Sequence, residues 1–414
     1  MVDNLRAMYR WYLFNRVPKL KSLASPVVVF DALKGIRAAL SLLSALSSEF
    51  NAALNRAGKP PGLPNPKPTR PYWLNNPPFP ELVDIRSPVL PETADVAVIG
   101  SGIAGAAVVR SLLHERRRRG TVSGSESGLP GDDNIIVFEA RQLCSGATAR
   151  NGGHIKPTAY EIFPRFRKTY GPERAAALTR FQLRHIDCLT ELCASEGIDA
   201  AEAREVETAD LYLDEETFRK AVEGLAEMKE WVPEVDVEVW ESDEARKKFG
   251  ANESVVGALS YRAGAIWAYR FVVSIWKRLL DDFPEQLFVE TMTPVEAIST
   301  ISHISGIFPA VFPPKRGKGA SVEHAWSGIL GMTGDFLPFV GRLHSGLTGR
   351  KVASKKDGGV HGEWIAAGFA GEGMVWAWLS GTALGIMVDG CEEEELAAAP
   401  GRPKAKLWTG FQKS

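Results

Sequence analysis

The sequence predicts a mixed α/β fold, and three observations carry that expectation. An apolar strand, Ala94 to Gly100 (ADVAVIG), runs through a glycine-rich turn into the helical stretch S-G-I-A-G-A-A-V-V-R-S-L-L. A second apolar strand, N-I-I-V-F-E, ends on the carboxylate of Glu139. The composition, 45% hydrophobic and 24% charged, is that of a soluble globular chain.

The first strand and turn set the topology. Gly100, Gly102 and Gly105 form G-x-G-x-x-G between strand and helix, the setting the motif requires. Gly100 allows the turn, Gly102 lets the backbone approach a pyrophosphate, and Gly105 lets helix and strand pack closely. The helix start, including Ile103 and Ala104, presents its free amides to phosphate. The acid that should contact a ribose lies about 20 residues past such a motif. Glu139 lies 39 residues past Gly100, but Glu115 to Asn134 (ERRRRGTVSGSESGLPGDDN) is a polar segment of 20 residues whose removal restores the interval. It is expected as a solvated loop insertion, with its arginines a docking patch in the alternative. Glu139 would accept the ribose hydroxyls and disfavour a 2′-phosphate, which points to FAD or NAD over NADP.

With 414 residues and about 150 per domain, two to three domains are expected. Basic and acidic residues number 49 and 50, so no general field draws the chain onto nucleic acid. Four cysteines without a C-x-x-C pair argue against a disulfide scaffold, and neither H-E-x-x-H nor a cysteine-histidine cluster suggests a metal. The longest apolar run, Gly373 to Val388, spans 16 residues, too short for a transmembrane helix and suited to a buried one. Residues 1–57 form a cationic extension in which Val29, Leu33, Ile36, Leu40 and Leu43 mark an amphipathic helix, either packed or flexible, or else a membrane-surface or targeting element. Residues 58–93 read as a proline-rich extended linker. Cytoplasm is the default location.

The segment after Glu139, A-R-Q-L-C-S-G-A-T-A-R-N-G-G-H-I-K-P, closely resembles the loop after the second strand in FAD-dependent oxidoreductases of the D-amino-acid oxidase, glycine oxidase and sarcosine oxidase superfamily, of fungal or microbial type. The resemblance implies an FAD-binding Rossmann-like domain of the glutathione-reductase type with an α+β substrate domain, here incomplete. It places Ala140, Arg141, Ser145, Gly146, Ala147, Thr148, Arg150, Asn151, Gly152 and Gly153 along the cofactor. A guanidinium suits phosphate oxygens and paired glycines admit a flat ring. His154 could be covalently attached, in polar contact, or simply hydrogen-bonded.

A second resembling block comprises Trp326 to Gly341 and Trp364 to Gly381, where Gly368, Gly371, Gly373 and Met374 would face the pyrimidine edge of the flavin. There the next helix would aim its N-terminus at N1 and C2=O, where charge develops on reduction. Glu372 stands where relatives commonly have histidine, so its carboxylate either points to solvent or penalises reduction. Val295 resembles an adenine contact, and Tyr261 to Arg270 (YRAGAIWAYR) resembles the family's A-G-x-x-x-P-Y turn. Residues 94–160 and 286–390 are thus expected to bind FAD, with the insertion at 115–134. Residues 161–285 would form a mostly helical, truncated substrate domain, with Leu178, Phe181, Cys188 and Leu192 the apolar stripe of one helix, and 391–414 a tail.

The resemblance implies oxidation of a C–N bond of an amine or amino acid by hydride transfer to flavin N5, with oxygen or another acceptor taking the electrons. A catalytic base is not identified; Tyr261, Tyr269, Arg270 and His154 are the candidates. The alternative is a catalytically impaired flavin-binding or interaction protein derived from that family. A weaker third possibility is an NAD-dependent Rossmann enzyme.

Overall fold

The computed structural model describes residues 47–48, 68–91, 94–123, 134–294, 331, 333–343 and 362–390, with the side chains of 119–123 excepted. The chain divides into two compact units, Met1–Pro61 and Gly62–Ser414. In the first, the described residues Ser47 and Ser48 are helical and exposed. The expected amphipathic helix at Val29 to Leu43, Val295 and the C-terminal tail lie outside the described residues. All that follows concerns the second unit.

Three parallel strands form its first sheet: β1 (Val96–Ile99), β2 (Ile135–Phe138) and β7 (Leu287–Glu290), in the order β1-β2-β7. Ile135 and Val137 of β2 are fully buried, as expected of the middle strand of a parallel sheet. The connection from β1 to β2 contains helix α1 (Ile103–Ser123), which buries Ala106, Ala107, Val109, Leu112 and Leu113. Gly105 lets α1 start so close to β1 that a Cβ there would lie 2.1 Å from the Gly100 carbonyl oxygen.

The arginine run departs from the expected loop. Helix α1 continues to Ser123, and Arg116, Arg117 and Arg118 are fastened to carboxylates. Arg116 pairs with Asp95 and, at 3.6 Å, with Asp389; Arg117 lies 3.7 Å from Asp282 and over the Phe283 ring; Arg118 pairs with Glu115 one turn back. Three acidic partners outside the helix, none adjacent in sequence, hold a segment that looks like a solvated run when read locally.

Residues 68–91 also depart from a free linker. Short 3-10 turns at Tyr72–Leu74 and Pro80–Leu82 punctuate a strap that buries Leu82 and lies along the body. Val83 accepts from Leu143 N (3.0 Å), Ile85 from Thr291 N (3.1 Å), and the Ser87 amide donates to Glu290 (2.8 Å). Prolines that exclude helix and central strand do not exclude docking, because the carbonyls remain acceptors and apolar side chains still bury.

A second, antiparallel sheet has the order β3-β6-β4, with β5 also paired to β6: β3 (His154–Ile155), β4 (Arg204–Tyr212), β5 (Val237–Glu241) and β6 (Gly257–Ala265). The described helices packed around the two sheets are α2 (Ala159–Tyr170), α3 (Pro172–Ser195), α4 (Glu215–Lys229), α5 (Ser242–Phe249) and α6 (Ala268–Asp282). In helix α3 the expected stripe meets the core in part, with Phe181 and Leu192 resting against it. Leu178 is buried, but Phe181, Cys188 and Leu192 are partly exposed, and the fully buried positions include Thr179, Gln182 and His185. That face meets polar groups of the closing turn.

The last described segments are the hairpin of β8 (Phe339–Arg342) and β9 (Trp364–Ala367), a 3-10 turn at Gly373–Val375, and helix α7 (Ala377–Asp389). The apolar run noted in the sequence is therefore a short turn plus a core helix. Gly381 and Gly385, one turn apart, press α7 onto α1: added Cβ atoms would lie 2.6 Å from the Ala104 carbonyl oxygen and 2.7 Å from that of Val108. No helix among the described residues is long and apolar enough to cross a membrane.

Candidate functional site

The nucleotide end is built where β1, β2 and the start of α1 converge. Gly100 has φ +102°, a conformation side-chain-bearing residues rarely adopt, and turns the chain into α1. Glu139, 8% exposed, faces this turn: its carboxylate accepts from the Ser101 amide (3.1 Å), the Ser101 hydroxyl (2.6 Å) and the Arg141 amide (3.1 Å). Three donors fix the carboxylate at the end of β2 and leave lone pairs for further donors. Ser101 ties in Cys144, whose amide donates to the serine hydroxyl at 2.8 Å.

The segment 145–153 folds over the start of α1. Ala147–Ala149 is one 3-10 turn, and the Thr148 hydroxyl accepts from the Ile103 amide at 2.9 Å. Gly102 leaves room for that contact, since a Cβ there would lie 3.0 Å from the same oxygen. Asn151 closes the turn, donating to the Ala147 and Thr148 carbonyls and accepting from the Gly153 amide at 2.8 Å. Gly153, at φ +72°, approaches so closely that a Cβ would sit 2.4 Å from the Ile266 carbonyl oxygen. Gly146 lies against the Arg141 guanidinium. Arg150 donates to the Ser145 and Thr69 carbonyls, and its guanidinium is held below its ordinary value by burial and then by the like charge of Arg141.

An FAD-type cofactor fits these residues. The like charges of the Arg141 and Arg150 guanidiniums act on one another, and a diphosphate would relieve them. The buried Ser145 hydroxyl has no partner, as expected of a group waiting for a ligand oxygen. Glu139 stands at the tip of β2, where the motif places the ribose.

The closing turn brings Gly368 (φ +77°), Ala370 (φ +50°) and Gly371 (φ +84°) together as three left-handed residues. Gly368 is pinned against Thr333, whose methyl a Cβ would meet at 2.8 Å, and Ala370 N donates to the Gly331 carbonyl at 2.8 Å. Met374 is buried behind the turn. Glu372 does not simply point to solvent: Gln182 of α3 donates to its carboxyl at 3.2 Å, and burial, then Glu161, push its pKa up. Next to it, His185 is fully buried, accepts from the Leu379 amide of α7 at Nε2 (3.3 Å) and faces the Phe181 carbonyl with Nδ1 (3.0 Å). Burial lowers its pKa to about 4, so it is a neutral imidazole protonated on Nδ1.

Beyond β3, the second sheet carries a polar cluster centred on Asp210. Its carboxylate accepts from Lys156, from the Tyr160 hydroxyl (2.5 Å) and from the Tyr261 hydroxyl (2.6 Å). The Tyr160 and Tyr212 hydroxyls meet at 3.1 Å, and Tyr212 donates to Glu161 at 3.3 Å. Burial raises all three phenols well above their ordinary range, so they serve as hydroxyl donors.

Of the catalytic candidates, only Tyr261 joins this cluster. His154 is exposed on β3 beside Gly152. Tyr269 is buried in α6, its pKa raised by burial and then by Cys144. Arg270 stacks 3.5 Å over the Trp267 ring and pairs with Glu202 at 3.4 Å. The sequence reading missed Gln182, His185, Asp210, Tyr160 and Glu161. The available signal was T-x-x-Q-x-x-H, polar residues at helical spacing on a face otherwise apolar.

A parallel sheet with a glycine turn at a helix start and a strand-end carboxylate defines a dinucleotide-binding protein of mixed α/β architecture. Residues 95–282 match the family model described as DAO, FAD dependent oxidoreductase. No curated protein matches the sequence. Similar solved structures include glycine oxidase from Bacillus cereus ATCC 14579, at 13% identity over 72% of this chain and 98% of that one, with a TM-score of 0.46. Iminodiacetate oxidase from Chelativorans sp. BNC1 matches at 12% identity over 75% and 97%, with a TM-score of 0.46. L-proline dehydrogenase from P. horikoshii matches at 16% over 77% and 97%, with a TM-score of 0.43.

Proposed function

We propose that this FAD-dependent oxidoreductase oxidises the C–N bond of a small amine or amino acid. The observation that carries the cofactor half is the Glu139–Ser101–Gly100 junction with its two guanidiniums and an unpartnered buried hydroxyl. The chemistry that bound FAD supplies is removal of a hydride from the carbon bearing the amine, with oxygen or another acceptor taking the electrons on. The chain's residues orient and exclude water. Glu139 holds the ribose, Arg141, Arg150, Ser145 and Thr148 hold the diphosphate, and Asn151 to Gly153 with Gly368 to Met374 frame the ring. The amine must be neutral at its nitrogen to lose hydride, and oxidation leaves an imine that water cleaves to a carbonyl compound. In this reading residues 94–160 and 286–390 serve the cofactor and 161–285 the substrate.

The test is the visible spectrum of the purified chain and of Glu139→Gln. Glutamine keeps one acceptor oxygen, so its NH2 donor must face either the Ser101 pair or the Arg141 amide, and losing an acceptor and the charge from this buried set costs about 2–3 kcal/mol. FAD affinity should fall by about a hundredfold. Unchanged flavin occupancy in the variant would refute the ribose assignment, and bound flavin that no amine or amino acid bleaches would favour the non-catalytic alternative.

A further inference from the structure

The strap at 68–91 reaches the 145–153 segment from two sides. It opens P-T-R-P-Y-W, and the prolines at 68 and 71, on either side of Thr69 and Arg70, leave this stretch few backbone states. Pro71 is buried and extended (φ −75°, ψ 153°), and the 3-10 turn Tyr72–Leu74 follows it, with Leu74 N donating to the Pro71 carbonyl. Stiff backbone thus presents the Thr69 carbonyl, which accepts from Arg150 Nη2 at 2.8 Å, while the Thr69 hydroxyl accepts from Nη1 at 3.4 Å. The same guanidinium donates from Nε to the Ser145 carbonyl at 3.1 Å. Two carbonyls from segments far apart in sequence therefore set its plane before any phosphate arrives, and a group fixed in advance loses less freedom on binding.

The strap is also fastened next to the far end of that segment. Trp267, at the start of α6, donates from its indole nitrogen to the Trp73 carbonyl at 3.1 Å. The Tyr72 ring stacks on the Trp267 ring with centroids 5.9 Å apart, and the Trp73 ring meets it edge-on at 5.1 Å. One residue earlier, the Ile266 amide donates to the Gly153 carbonyl at 2.8 Å. The contacts close a circuit: Thr69 to Arg150, along the chain to Gly153, across to Ile266, and from Trp267 back to Trp73. No residue of β1, α1 or β2 takes part in these bonds, so loosening them should leave the parallel sheet intact.

We propose that residues 69–73 form a clasp that positions Arg150 for the cofactor diphosphate, with Trp267 the positioning residue on which the clasp hangs. Trp267 then acts on FAD through Arg150. The inference rests on the reading of Arg150 as a diphosphate ligand.

A double-mutant cycle on the FAD affinity of the full, flavin-free chain, followed by flavin fluorescence, tests the coupling. Arg150→Leu should weaken FAD by at least about tenfold, the loss of one charge-assisted contact. Trp267→Phe keeps an aromatic ring and removes the N–H donor. It should weaken FAD about threefold to tenfold when Arg150 is present, yet leave affinity within about twofold in the Arg150→Leu background. A merely structural tryptophan would cost the same in both. Tyr72→Ala removes an exposed ring from the strap and should behave as Trp267→Phe does, so it carries the cycle if that variant fails to fold. Equal losses in both backgrounds, or no loss from either strap variant, overturn the clasp and leave Arg150 a ligand. Full FAD affinity in Arg150→Leu removes the diphosphate reading of Arg150 and the clasp with it.

Discussion

Gly381→Ala in α7 sets two physical effects against each other. Alanine is the better helix former by about 1 kcal/mol, so propensity alone predicts a stabilised helix. The new methyl, however, would stand 2.6 Å from the Ala104 carbonyl oxygen and 2.8 Å from the Ala107 Cβ. Both belong to helix α1 and neither can rotate away, so the helices must separate, and overpacking of this kind costs about 1–3 kcal/mol. Packing should win by about 1–2 kcal/mol, a fall of about 2–8 °C in the unfolding midpoint. Gly385→Ala should behave alike, because its Cβ would meet the Ser111 Cβ and the Val108 oxygen, both at 2.7 Å. Chemical denaturation followed by circular dichroism checks both, and a variant that unfolds at or above the wild-type denaturant concentration refutes the close-packing argument. Since α7 follows directly on the closing turn, FAD should also dissociate faster from each variant.

Acid should destabilise the chain through His185. Its folded pKa of about 4 lies below the ordinary 6.5, so between these values the unfolded chain binds a proton that the folded chain refuses, and stability falls as pH falls, by up to about 3 kcal/mol in all. His185→Gln should flatten the pH dependence of the denaturation midpoint in that window; an unchanged slope refutes the assignment. Glu372 acts with the opposite sign: its raised folded pKa contributes stability present below 4.5 and lost as pH rises, so Glu372→Gln should be relatively more stable than wild type at pH 7 than at pH 4. Cys144 is fully buried with its thiol pushed well up by burial, then by Glu139, and Cys193 is pushed to about 12. Neither should react with an alkylating reagent until denaturant is added; rapid labelling of Cys144 in the folded chain, read by peptide mass, would contradict the packing of the 144–150 loop.

The strand–turn–helix unit was legible because its requirements are local. Gly100, Gly102, Gly105 and Glu139 are dictated by a turn, a close approach and a strand end, each readable within a few residues, and the parallel β1-β2 pair follows from the same unit. The strap and the arginine run were misjudged for one reason. Their partners, Thr291 for Ile85 and Asp389 for Arg116, lie about 200 and 270 residues away, and local composition carries no trace of them. The Asp210 cluster was hidden because it assembles from the β3–α2 connection, α2, β4 and β6, which lie up to about 100 residues apart. The buried polar positions of α3 went unread because Gln182 and His185 look solvent-facing until their partners Glu372 and Leu379 are known.

The strap at 68–91 also dictates an order of assembly. It is synthesised before either sheet, yet its hydrogen-bonding partners include Val289, Glu290 and Thr291, about 200 residues further along. On the ribosome, Ile85 and Ser87 must wait for these partners while β1, α1 and β2 emerge. Until β7 leaves the exit tunnel and joins β2, the apolar Leu82 and Ile85 are open to chaperones, and the strap becomes a closing step of folding rather than its beginning.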